Sequence, residues 1–468
     1  MRSRAVILTT CAAVIVLAPA CRSLPHNGAS PTLAITGVTV IDGTGRSPRR
    51  GATVLIEGSR IAAVGAARDI TVPSSAIVVD GRGKYLIPGL CDVHVHLWHG
   101  DSAASQFPAH GVTCVRDMGT PSAEITRLRH GIADGTILGP RIIAAAGPWL
   151  SATVWQGRTE LARVVDGAPA ATAAVESLSH AGSDFIKVMT DVPRPAFVAA
   201  FAEARKRGLR VAGHLPNGLD LGEAIEHGLN SVEHLFQLRL AFSAREHELR
   251  PRLLAALAAG DRATLTRLNA EALSSYSAEK QTEVLRLLAE RGVFLTPTLV
   301  AHQWASVLGD SNFAADARLA SVPDSLRRAW AVQRPAARIS TEASAAARQS
   351  YAQQESLVVA MRRAGVRLMT GTDAGDAYRY NGSSLHDELM LLVRAGLTPM
   401  EAIESATRIP AEYLGVADSL GTIEPGKVAD LVLLDANPLE RIENVRAISA
   451  VVLRGRLLDE RRLVELMK

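Results

Sequence analysis

The alternation of apolar and polar positions divides the chain into three textures. Between residues 33 and 87, short β-branched runs are broken by glycine, as in LAITGVTVIDGTG, GATVLIEGSRIAAVGA and AIVVDGRGKYLIPGL. This is the pattern of half-buried strands joined by turns. The same texture returns from residue 416, in GTIEPGKVADLVLLDANP and AISAVVLRGRLLD. A few strands seldom hold a sheet by themselves, so the two ends are expected to pair into one small β-sandwich domain, 33–87 with 416–468. Over 88–415, apolar runs alternate with Ala-, Leu-, Glu- and Arg-rich stretches, the mark of βα units around a parallel sheet.

Eight strand candidates can be counted in that middle part: GLCDVHVHL, GVTCVRDMG, RIIAAAG, DFIKVMTD, RVAGHLP, SVEHLF, VFLTPTLV and VRLMTGTDAG. They predict an α/β fold built on a (β/α)8 barrel, whose reactive groups stand at the C-terminal ends of the strands. Polar residues fall at those ends. His94 and His96 follow the first strand, Lys187 closes the fourth, His214 the fifth, His234 the sixth and Asp373 the eighth. The connections from His234 to Phe294 and from Thr298 to Gly371 are far longer than a barrel requires and carry helical patterns. They would serve as a lid, as a subunit contact in an expected homo-oligomer, or as padding on the outer wall.

Composition adds little to this until the first residues are read. With 468 residues, 47% apolar and 21% charged, the chain is ordinary globular material. Arg2 and Arg4, the apolar run AVILTTCAAVIVLA and APA at 18–20 read as an export signal over 1–20. The run is short for a membrane span. Cys21 follows directly, which resembles a bacterial lipoprotein signal, with Ala18 in place of the usual Leu and an unusual Pro19; ordinary cleavage after Ala20 is the alternative. Residues 21–32 read as a tether. The expectation is an exported bacterial protein, periplasmic or held at the membrane through a lipidated Cys21. The formal charge of +4 drops by two once Arg2 and Arg4 leave with the signal, and no basic run points to nucleic acid. Cys91 and Cys114 sit in apolar strand patterns and read as small buried thiols, with no disulfide framework implied.

In a strand, His94 and His96 project to one side with Asp92, and Val93 and Val95 to the other. A lone HxH is as easily a hydrogen-bonded core pair. Four histidines, an aspartate and a lysine at one barrel mouth are harder to explain that way. Imidazole and carboxylate together suit divalent ions such as zinc. An ammonium cannot ligate, but its reaction with CO2 gives a carbamate able to bridge two ions, so Lys187 separates a one-metal from a two-metal reading.

PGLCDVHVHL, DFIKVM, VAGHLP, SVEHL and GTDAG, in this order, resemble the motifs of the amidohydrolase superfamily. The similarity extends over nearly the whole mature chain. It is strongest toward metal-dependent hydrolases close to imidazolonepropionase-like proteins and to the Xaa-Pro dipeptidases of that superfamily. The resemblance implies that His94, His96 and Asp373 bind a first ion, His214 and His234 a second, and carboxylated Lys187 bridges them. Cys91 stands where Ile is usual, and no glutamate follows His214 three residues on, which weighs against the deaminase branch.

A metal-activated water cleaving an amide C–N bond is therefore expected, with Asp373 as the group that takes and returns its proton. The expected substrate is a dipeptide, Xaa-Pro included, or an N-acyl amino acid. A hydrolase of a cyclic amide or lactone and a non-catalytic anchored binding protein are the alternatives. Arg116, Arg158 and Arg379, with Tyr378, lie near strand ends and are candidates for the substrate carboxylate. Trp149 and Trp155 would line an apolar pocket or pack a loop. His99 and His110 match no ligand position.

Overall fold

The computed structural model describes residues 32–155, 157–306, 316–333 and 341–467. The expected signal and nearly all of the tether lie outside the described residues. All eight strand candidates of the middle part form strands: Leu90–Val95, Val112–Asp117, Arg141–Ala145, Phe185–Val188, Arg210–Gly213, Leu229–Glu233, Phe294–Thr296 and Arg367–Leu368. We number them one to eight as barrel strands.

Strands one to three form one parallel group, and strands four to eight another, extended by Trp149–Ser151 and Ala162–Val164. Backbone hydrogen bonds close the ring, several of them between strands one and eight. Val93 N–H donates to Thr370 O at 3.0 Å and Asp184 N–H to Ala145 O at 2.9 Å. Helices cover the outside, and Ile186, Val188, Val211, Val232 and Leu295 pack against Phe197, Phe201, Leu288 and Val358.

The two chain ends meet as the strand patterns predict. Tyr85–Pro88 pairs antiparallel with Leu431–Leu434, and that seam joins five N-terminal and three C-terminal strands into an eight-stranded sheet. Leu33, Ile35, Val54 and Ile56 share its core with Leu431 and Val452.

The long connections are helical. Glu246–Ala258, Arg262–Ser274 and Ala278–Glu290 fill the first; Leu299–Ser306, Asp324–Gln333 and Thr341–Arg363 lie in the second. Among the described residues no helix is long and apolar enough to cross a membrane.

One sequence expectation is corrected. Cys91 and Cys114 are not free thiols; they form a disulfide. The parallel register sets the two residues directly opposite each other, with Cα atoms 4.6 Å apart, within the range a disulfide spans. Apolar patterning shows that both positions are buried, but strand register is not visible in it.

Candidate metal centre

The histidines stand in a row at the barrel mouth. Ring centroids of His96 and His94 are 5.6 Å apart, His94 and His234 4.8 Å, and His234 and His214 5.0 Å. Asp373 Oδ1 lies 3.3 Å from His94 Nε2 and 3.1 Å from His96 Nε2. Donor atoms of His94, His234 and Asp373 all fall within 4.8 Å of one another.

The backbone at these strand ends is bent where it presents the candidate ligands. His234, Thr298 and Asp373 have φ of 69°, 49° and 60°, a left-handed conformation uncommon for residues with a Cβ and found where structure over-determines it. Gly213, at φ +139°, has its Cβ position 2.3 Å from Val188 O and 3.0 Å from Lys187 Cδ. Only glycine lets the fifth strand approach the lysine so closely before His214.

Around the row, other side chains fix the rings. Glu233 accepts from His94 Nδ1 at 2.9 Å, from Arg116 Nη2 at 2.7 Å and from Ser231 Oγ at 2.6 Å. Thr298 Oγ1 lies 2.6 Å from His234 Nδ1. With their Nδ1 atoms so engaged, His94 and His234 turn Nε2 inward, the arrangement that holds ligand histidines in register. His214 Nδ1 is buried and has no hydrogen-bond partner among the described residues. A buried polar atom left so is costly, and a bound ion would satisfy it. The donor set fits a divalent metal.

Electrostatics agree with that fit. Burial above all, with the Lys187 amine beside His214, holds His214 and His234 well below the ordinary histidine range, so both are neutral and able to ligate. Burial alone would raise Asp373, but the Arg379 guanidinium and the hydrogen bonds from His94 and His96 hold it well below the usual carboxylate range. Burial pulls Lys187 down to about 8, against the opposing charges of Glu233 and Asp373. An amine so placed has a neutral fraction at ordinary pH.

The expected substrate residues are placed differently from one another. Arg116 is a correction: fully enclosed, it bonds Val93 O at 2.5 Å and Glu233 at 2.7 Å, which leaves its fork no access to a substrate. Arg379 donates to the Asp373 backbone oxygen at 2.7 Å and pairs with Asp376, so it orients Asp373. Tyr378 packs 5.5 Å from Trp330 of the second long connection. Arg158 lies 4.9 Å over the Trp98 ring and 2.9 Å from Glu160. Trp98 stacks on His96 at 4.4 Å, and Trp149 and Trp155 complete the cluster at 5.9 Å from each other. His99 Nε2 lies 2.9 Å from Gly375 O, and His110 packs beside His386.

Sequence reasoning missed Glu233, Thr298 and Trp98. Strand alternation carried the signal for Glu233, which shares its strand face with Ser231. Nothing local marks Thr298.

A parallel barrel whose strand ends gather imidazoles and a carboxylate into one cluster defines a metal-dependent hydrolase in the broad sense. The chain belongs to the amidohydrolase family, whose model, described as "Amidohydrolase family", matches residues 85–458. It is accordingly a hydrolase acting on carbon–nitrogen bonds. It is 27% identical over 411 residues to imidazolonepropionase of Sphingopyxis alaskensis, covering 84% of this chain and 88% of that protein. Among solved structures, bottromycin amidohydrolase superposes with a TM-score of 0.72 and 26% identity, covering 93% of this chain and 88% of that one. A Xaa-Pro dipeptidase with bound methionine in the active site gives a TM-score of 0.66 at 23% identity, covering 92% and 100%, a likeness of fold.

Proposed function

We propose that the protein is an exported, binuclear amidohydrolase that cleaves an amide C–N bond of a dipeptide, Xaa-Pro included, or of an N-acyl amino acid. The observation that carries the reading is the row of four histidines with Asp373 at one end and the buried Lys187 beside the fifth strand. His94, His96 and Asp373 would hold one ion and His214 and His234 the other, with Lys187, carboxylated by CO2, between them. Zinc suits this set. Two ions so held would supply a water of lowered pKa and polarise the substrate carbonyl.

The chain's own residues do the rest. Asp373 takes the water's proton and returns it to the leaving nitrogen, and Arg379 keeps its carboxylate ionised and aimed. Glu233 fixes the His94 tautomer while neutralising Arg116. Trp98, Trp149 and Trp155 offer an apolar, aromatic wall against His96, with Arg158 at its rim for a carboxylate.

The Cys91–Cys114 disulfide supports export, because such bonds persist in oxidising compartments. Anchoring through a lipidated Cys21 belongs to the same proposal. Purified protein supplied with zinc or manganese and bicarbonate, screened against dipeptides, N-acyl amino acids, cyclic amides and lactones, tests the substrate class. Turnover confined to the last two groups would overturn it.

A further inference from the structure

A cavity of about 300 Å³ lies outside the barrel, behind the short turn Phe236–Arg239 that follows the sixth strand. Helices Arg262–Ser274 and Thr341–Arg363 form its other walls. The turn has two faces. Phe236 stacks on His234 at 5.7 Å between ring centroids, whereas Leu235, Arg239 and Phe242 line the cavity with Leu273 and Leu357. The volume is at the small end of the range for organic ligands.

Two polar groups in this apolar wall lack the partners their chemistry calls for. Arg239 bonds the Ser350 hydroxyl, and among the described residues no carboxylate pairs with it. Burial draws its guanidinium below the ordinary arginine range. A partly desolvated cation without a counter-ion is unfavourable. Gln354 is 3% exposed; its Nε2 donates to Ser350 O at 3.4 Å, and its Oε1 is buried with no donor. One ligand would satisfy both: a carboxylate for the guanidinium fork and an N–H for the amide oxygen. The apolar walls take the rest of it.

We infer that this cavity is a second small-molecule site, separate from the metal centre, for an apolar amino acid or acylamino acid. Its carboxylate pairs with Arg239, its N–H donates to Gln354, and its side chain packs against Leu235, Phe242, Leu273 and Leu357. The ligand class overlaps the proposed substrates and products. Because the turn that carries Arg239 also carries Phe236 against His234, occupancy bears directly on the metal-site wall.

The test is calorimetric titration of the metal-loaded full chain with N-methanesulfonyl-L-leucine, whose sulfonamide is not an amide substrate. Binding is read without turnover, so the result stands apart from the hydrolysis reading. The wild-type protein is expected to bind the acid and not its methyl ester. Arg239→Met should weaken binding roughly ten- to hundredfold, the value of a charge-assisted bond. Ser356→Trp, at an exposed position on the rim, should abolish it without touching the arginine, and so covers the case in which Arg239→Met fails to fold. Absence of wild-type binding, or equal binding by folded Arg239→Met and Ser356→Trp, would overturn the inference, since such a ligand would sit at the metal centre instead.

Discussion

At the scale of single residues, the proposed mechanism gives Asp373 and Lys187 separable tasks. Asp373→Asn keeps the size and one oxygen donor but cannot hold a proton. Turnover should fall by the 10² to 10⁴ typical of a lost general base, roughly 3 to 5 kcal/mol of barrier, with metal largely retained. Rates and metal content measured on the same preparation check this; near-normal turnover with metal in place would remove Asp373 from the role. Lys187 must be neutral to react with CO2. With its pKa drawn down to about 8 by burial, the neutral fraction is roughly a tenth at pH 7 and nine-tenths at pH 9. At constant dissolved CO2, reactivation of metal-free protein by zinc should therefore quicken as pH rises through about 8. A rate that is flat or falls over that range would contradict a carbamate at Lys187.

At the scale of elements, the eight barrel strands were legible from their short apolar, often β-branched runs, and five of them, SVEHLF and VRLMTGTDAG included, also close on a polar residue singled out for chemistry. Those polar strand ends are also what marked the candidate ligands, which the fold brings to one mouth of the barrel. What local pattern could not show was lateral register. Opposition of Cys91 to Cys114 across strands one and two, and of Arg116 to Glu233 within the barrel, depends on how far each strand slides along its neighbour. Arg116 was expected to face substrate because it lies near a strand end and its fork suits a carboxylate; the buried Glu233, which needs a cation beside it, claims it instead. The disulfide ties strand one, which leads to the candidate ligands His94 and His96, to strand two. Cys91→Ala with Cys114→Ala should lower stability by about 3 kcal/mol and leave the metal content of folded protein unchanged. Non-reducing peptide mapping should find the cross-linked pair in wild type; two free thiols there would contradict the bond.

At the scale of the whole molecule, chain ends that pair in one sheet brace a barrel whose mouth carries the chemistry, and the helical connections rise from the same strand ends. An exported, anchored protein should partition with membranes, and Cys21→Ser should release it; fractionation of expressing cells checks this, and wild-type protein recovered only in the soluble periplasmic fraction would show ordinary cleavage. The central claim is a two-ion centre bridged by Lys187, and elemental analysis of full-length protein prepared with bicarbonate tests it most directly. About two divalent ions per chain are expected, with Lys187→Ala losing both metal and turnover and regaining part of them in acetate or propionate, which can stand in for the missing carboxylate. One ion per chain at full activity, unchanged in Lys187→Ala, would contradict the account.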